Sequence, residues 1–202
     1  MKNATALNHI SSNDAVLATI ISAIEYPQIA STGNVFNDLI SCIVEQQIHY
    51  RSTKKVFQKM LVAAELASIT PENFSQFEER GMASSTLSQA KYETLLGLIA
   101  FWKTHPHLNW QQLSDQEVRT FLSQIKGIGP WTMDMILLYT LERPTVFPAD
   151  DFHLKEIMVK EYKLNPASKL KSQMLDISTL WCEHTSLAVK YLLAWKAFHK
   201  KR

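Results

Sequence analysis

The sequence predicts an all-α protein, and three observations carry that expectation. Apolar residues recur at helical spacing in segment after segment of the 202-residue chain. Only five glycines are present. Helix start signals, a Ser or Asp or a proline at the first helical position, precede several of the apolar stripes. The 46% hydrophobic content fits a folded chain, and a chain of this size buries roughly 70% of its unfolded surface, enough for a sizeable core.

Residues 1–12 read as a polar, poorly ordered leader. Val16, Leu17, Ile20, Ile21 and Ile24 then share one helical face, ended by Tyr26 and Pro27. Phe36, Leu39, Ile40, Ile43 and Val44 predict a buried stripe on a helix over 35–47. A third helix is expected over 52–67, capped by Ser52 and packed through Val56, Phe57, Met60 and Leu61. Short helices follow over 71–79 and 84–101. Ser114 and Glu117 have the spacing of a capping box and open a helix running to about Ser123. Pro130 suits the first position of the next helix, where Met133, Ile136, Leu137 and Thr140 recur at helical spacing. Further helices are expected over 151–162, around 170–177, and over 185–198 with Leu187, Tyr191, Leu192, Trp195 and Phe198 as apolar contacts.

Composition narrows the chemistry. With only Cys42 and Cys182, both set in apolar helical patterns, neither a disulfide framework nor a thiolate metal centre is expected. His105 and His107 flank a proline with no acidic partner nearby, so no metal site is expected there either. The net charge is only +2, with basic residues gathered at Arg51, Lys54, Lys55 and Lys59, at Lys163, Lys169 and Lys171, and at Lys196, Lys200, Lys201 and Arg202. Such groups usually form solvated helix faces, yet a modest basic surface also suits a protein that slides along DNA and lets go. No run is long enough to span a membrane, and the first twenty residues do not read as a signal peptide, so the cytoplasm is the expected location.

The stretch Gln124 to Thr132 stands out. Gly127 and Gly129 allow positive φ and close approach, and the N–H groups that open the following helix sit at its positive dipole end. With Lys126 and Ile128 they predict an anion site that reads no base sequence. Downstream, Val146-Phe147-Pro148-Ala149-Asp150-Asp151-Phe152 is a proline-broken turn that brings two carboxylates to the start of a helix.

The pattern Ile125-Lys126-Gly127-Ile128-Gly129-Pro130-Trp131-Thr132, followed by Phe147-Pro148-Ala149-Asp150-Asp151, resembles the helix-hairpin-helix DNA glycosylases, and within them the 3-methyladenine DNA glycosylase II branch. The stretch Phe36 to Ile48 and the block from Gly81 and Met82 to Lys91 resemble further parts of the family, so the likeness covers roughly residues 34 to 195. It implies a two-lobed helical body formed by residues 1–202 as one unit, with the hairpin at about 115–141 and the active site in the cleft between the lobes. It also implies a compact form without the N-terminal β-rich domain of longer relatives. The four-cysteine iron–sulfur cluster of some members is not possible with two cysteines. No cofactor is expected.

The resemblance assigns roles residue by residue. Asp151 falls at the family's catalytic aspartate, with Asp150 read as the helix cap; an ionised carboxylate there stabilises the oxocarbenium-like sugar as the base leaves. Trp131 stands where bifunctional members carry a Schiff-base lysine, which implies a monofunctional enzyme with water as nucleophile. Trp131 is then expected to stack on the extruded base, Met135 to occupy a pocket position where the family often has an aromatic, and Trp195 or Trp181 to stand in for the tryptophan expected at Leu193. Gly127, Ile128, Gly129 and Lys126 are the expected phosphate contacts. Gln47 or His49 is the expected wedge that fills the gap left in the base stack. The implied partner is double-stranded DNA containing alkylated purines such as N3-methyladenine and N7-methylguanine, bound by a monomer. Two rival readings remain: a bifunctional oxidised-base glycosylase/lyase, and a non-catalytic lesion-binding protein that needs the glycines but not Asp151.

Overall fold

The computed structural model describes residues 2–27, 31–45 and 55–200, all helix or connection with no strand among them. The chain divides into two compact units. One is discontinuous in sequence, joining Met1–Ile29 to Glu142–Arg202; the other is Ala30–Leu141.

The discontinuous unit begins with α1 (Lys2–Asn13) and α2 (Ala15–Ala23). The polar leader expected at the N-terminus is therefore a helix. Ala6 and Ile10, four residues apart, are both buried, and α1 packs against α2 and against a 3-10 segment, Thr179–His184. Burying one narrow stripe is enough to hold an otherwise polar helix. Asp14 caps α2 through Leu17 N–H at 3.0 Å and also accepts from the Tyr162 hydroxyl at 2.6 Å and Trp181 Nε1 at 2.8 Å. That buried carboxylate fastens the first two helices to the C-terminal half of the chain, and three donors offset its burial. Burial, with Asp14 beside it, pushes the Tyr162 hydroxyl's pKa up, so it remains a donor. The same unit contains α9 (Phe152–Tyr162), α10 (Leu170–Ser178) and α11 (Thr185–Lys200), with α11 packed on α9 and α2. Cys182 lies at a kink with φ 48° and is exposed, not set in a helical face as its surroundings predicted.

The continuous unit is arranged around α3 (Val35–Val44), every residue of which is buried. Its stripe predicted one buried face; α6 (Gln89–Thr104), α8 (Pro130–Met135) and the π-helical turn Ile136–Thr140 all pack on it. Asp38 on α3 is fully buried and accepts from Ser31 Oγ at 2.6 Å, Thr32 Oγ1 at 3.0 Å and Thr140 Oγ1 at 2.9 Å. α4 (Lys55–Ala63) ends before the expected boundary at 67, and Glu65 turns to φ 56°. The expected cap Ser52 lies outside the described residues. The short helix expected over 71–79 is α5 (Phe74–Gln76) continued by a π turn, Phe77–Gly81, and a 3-10 turn, Met82–Ser84. α6 starts later than expected because Ser88, not an earlier residue, caps it through Lys91 N–H. Among the described residues no helix is long and apolar enough to cross a membrane.

α7 (Asp115–Ser123) carries the capping box as read from sequence: Ser114 Oγ accepts from Glu117 N–H, and the Glu117 carboxylate accepts from Ser114 N–H at 2.8 Å. Replacing Ser114 with alanine removes one of these bonds at an exposed end. The expected cost is about 1 kcal/mol, or a Tm fall of about 2–4 °C, and an unchanged thermal melt would show that the box contributes nothing.

Candidate functional site

The hairpin between α7 and α8 owes its shape to two isoleucines. Ile125 and Ile128 are buried, which leaves Lys126 and Gly127 exposed at the tip, and the turn closes through Ile128 N–H on the Ile125 carbonyl at 3.1 Å. Gly127 has φ 93°, as a glycine in a tight turn should. A Cβ there would stand 2.0 Å from Thr94 Oγ1 and 3.0 Å from both Thr94 Cβ and Cγ2, so the turn is seated directly on α6. Gly129 differs from expectation. Its φ is −96°, it is the residue before α8, and a Cβ there would meet nothing within 4 Å. Its backbone needs no glycine; what glycine leaves at this position is open space beside the helix start.

Pro130 occupies the first turn of α8, and no side chain caps that helix. The helix start carries the positive end of the helix dipole, which favours an anion. The two hairpin helices are cross-braced by Arg119 on α7 and Asp134 on α8, paired at 2.6 Å with Asp134 8% exposed. A short, partly desolvated pair of this kind fixes the angle between the helices better than a surface pair would. Trp131 is half-buried on the first turn of α8. Met135 is fully buried, so a base could touch it only after side chains move. Gln47 and His49 lie outside the described residues.

In the other unit, Asp151 rather than Asp150 caps α9. Asp151 has extended backbone, φ −65° and ψ 123°, and its Oδ1 accepts from Leu154 N–H at 2.7 Å. The side chain expected to be the cap, Asp150, is exposed and pairs with Lys171 at 3.0 Å and Lys155 at 3.4 Å, and those bonds hold its carboxyl below the usual range. The assignment of the cap is thus corrected by one residue. Asp151 is only 2% exposed, fixed by its bond to the backbone and set at the positive end of an eleven-residue helix. Beside it Phe152 is 67% exposed, an apolar ring at a helix start that the sequence reading passed over. Lys196 from α11 lies 5.3 Å from the Phe152 ring centroid and pairs with Glu156 and with His153 Nδ1.

The two candidate tryptophans of the C-terminal part separate clearly. Trp181 is fully buried with its indole N–H on Asp14, so it is a core residue. Trp195 is half-buried on α11, stacked on Phe198 at 5.6 Å with an interplanar angle of 9°. Leu193, where the tryptophan was expected, is buried. Two hollows are present elsewhere. One, of about 570 Å³, is lined by Phe36, Trp102 and Trp110 among others and includes none of the residues expected to bind DNA or to act in catalysis. The other, about 590 Å³, runs along α9 from Phe152 to Lys160 and is bounded by Leu170 and Lys196.

No protein-family profile matches the chain. Over 170 residues, 80% of this chain and 71% of the other, it is 28% identical to a Schizosaccharomyces pombe protein named DNA-3-methyladenine glycosylase 1. It is also similar to the solved structure of the 3-methyladenine DNA glycosylase of that yeast in complex with abasic DNA, with a TM-score of 0.78 and 25% identity over 94% of this chain and 95% of that one. A Clostridium acetobutylicum 8-oxoguanine glycosylase/lyase in complex with DNA shares the fold alone, with a TM-score of 0.72 and 19% identity over 98% of this chain and 71% of that one.

Proposed function

We propose that the chain is a helix-hairpin-helix DNA glycosylase, as its likeness to the yeast 3-methyladenine DNA glycosylase supports, and that it is a monofunctional one hydrolysing the N-glycosidic bond of alkylated purines in double-stranded DNA. The observation that carries the reading is Asp151, a buried carboxylate fixed through Leu154 N–H at the start of α9. A fixed anion is what this reaction asks for. Positive charge builds on the deoxyribose as the base departs, and a carboxylate already held in place stabilises it without reorganising. An alkylated purine carries positive charge and leaves as a neutral base, so no strong general acid is required.

The remaining roles follow the same logic. Trp131 offers a stacking face, worth about 1–3 kcal/mol per base in stacks of this kind, and the positive charge of an alkylated purine strengthens the contact. Tryptophan cannot form a Schiff base, so water completes the displacement and the strand stays intact. The tip residues Lys126 and Gly127, the space beside Gly129, and the positive end of α8 serve the phosphate backbone, which fixes register and carries no sequence information. With Met135 closed off, Trp131 is the aromatic face offered to the base by the hairpin unit, and the protein acts as a monomer.

Borohydride trapping tests the absence of lyase chemistry. With a duplex carrying one N7-methylguanine or one 8-oxoguanine, the expected result is no covalent protein–DNA adduct and an unbroken strand that alkali later cleaves at an abasic site. A trapped adduct on either duplex would establish a lysine nucleophile and the bifunctional reading.

A further inference from the structure

Ser186 stands in the first turn of α11, outside every role assigned above, and is 4% exposed. Its bonding follows from a break in the chain just ahead of it. Cys182, with φ 48° and ψ −128°, interrupts the helical path, so α11 has a start of its own, whose first N–H groups need partners from outside the helix. The Ser186 N–H donates to the Pro144 carbonyl at 2.9 Å. Its hydroxyl makes two further bonds, donating to the Arg143 carbonyl at 2.5 Å and accepting from Val146 N–H at 2.8 Å. One small residue thus holds three backbone groups of the segment 143–146, which forms no helix or strand that could take them.

That segment leads directly to Asp151, and the path between is tied at each step. Val146 is 3% exposed, and the Phe147 ring lies 6.0 Å from that of the buried Trp181. Ala149 N–H then donates to the Phe147 carbonyl at 2.8 Å, and Asp151 N–H to the Pro148 carbonyl at 2.9 Å. Proline at 148 removes one torsion from the path. Asp151 is therefore held from two directions that meet in α11. Its side chain is bonded into the first turn of α9, which packs on α11, and its main chain hangs from Ser186.

We propose that Ser186 is a positioning residue for Asp151, fixing where that carboxylate stands relative to the sugar whose cation it stabilises. The inference rests on the proposed function and on the role given there to Asp151. A carboxylate aimed at charge developing on one atom loses its effect when displaced, and a misplacement of about 1 Å can cost about 100-fold in rate. Without the hydroxyl, the Arg143 carbonyl and Val146 N–H lose that partner together, and the path to Asp151 is free to shift.

The test is a double-mutant cycle read by single-turnover release of N7-methylguanine from a duplex, with protein in saturating excess. It compares the wild-type chain, Ser186→Ala, Asp151→Asn and the two changes together. Ser186→Ala is expected to lower the wild-type rate by about 10- to 100-fold with affinity for the duplex unchanged, and to lower the Asp151→Asn rate by less than about 3-fold, because no charge is left to misplace. An equal loss in both backgrounds would show a general structural role and overturn the inference, as would no loss in either. Where melting shows Ser186→Ala unfolded, Ser186→Cys, which keeps the shape with a weaker donor and acceptor, goes through the same cycle, and equal factors in the two backgrounds are again contrary. A wild-type chain that releases no base contradicts the glycosylase function, and an Asp151→Asn chain at close to the wild-type rate contradicts the role of Asp151; the positioning role falls with either.

Discussion

Asp151→Asn is expected to fold and melt close to wild type, to bind DNA at least as well, and to lose methylpurine excision by about 100- to 1000-fold. The reason is that the observed cap and the proposed catalytic carboxylate are one side chain. As the cap of α9, Asp151 uses Oδ1 to accept from Leu154 N–H, and an asparagine oxygen accepts the same bond. Stability is therefore almost unaffected, whereas alanine in its place costs about 1 kcal/mol. The negative charge is what disappears, and with it the electrostatic stabilisation proposed for the sugar cation. Asp150→Asn is the matched control: that carboxylate is exposed and already engaged by Lys155 and Lys171, and its loss leaves excision nearly unchanged. Excision by Asp151→Asn at close to the wild-type rate would leave Asp151 a cap alone.

The second large effect separates two glycines that look equivalent in sequence. Gly127→Ala places a methyl group 2.0 Å from Thr94 Oγ1 in a backbone with φ 93°. Rotating Thr94 does not remove the crowding, because its Cβ, which the rotation leaves in place, is itself 3.0 Å from the same point. Left-handed strain and overpacking together cost about 2–4 kcal/mol, which lowers Tm by about 5–15 °C. Affinity for undamaged and damaged DNA falls together as the turn lifts off α6. Gly129→Ala, with φ −96° and open space around the new methyl, keeps the wild-type Tm and weakens DNA binding only because the methyl stands where the backbone phosphate is proposed to approach. A Gly127→Ala protein as stable as wild type, or a Gly129→Ala protein with undiminished affinity for DNA, would contradict this division of roles.

Much of the helical fold was legible because its signals are local. Ser114 with Glu117, and Pro130 at the head of α8, mark helix starts through bonds within one turn, and both stand where the spacing put them. Signals that depend on distant partners were not legible. Nothing in residues 1–12 foretells that Ala6 and Ile10 will find α2 and residues 179–184 to pack against, so α1 read as a leader. Likewise no pattern along the chain shows that residues 1–29 join 142–202 across the whole of the other unit, or that Asp14 will hold Tyr162 and Trp181. In the candidate site, the motif singled out both Asp150 and Asp151, but which of two adjacent carboxylates turns inward is decided by backbone angles. Gly127 and Gly129 were alike for the same reason. Ser186 lay within the helix expected over 185–198, and only its bonds to Arg143, Pro144 and Val146 reveal what it holds.

The most direct measurement is release of free base from a duplex carrying a single N7-methylguanine, with the wild-type protein in excess over DNA. The expected products are free 7-methylguanine and an intact strand with one abasic site, formed in the absence of any added metal or cofactor. If the methylated base stays in the polymer while the protein binds the duplex, the chain is a lesion-binding protein and the assignment of Asp151 as its catalytic carboxylate is wrong.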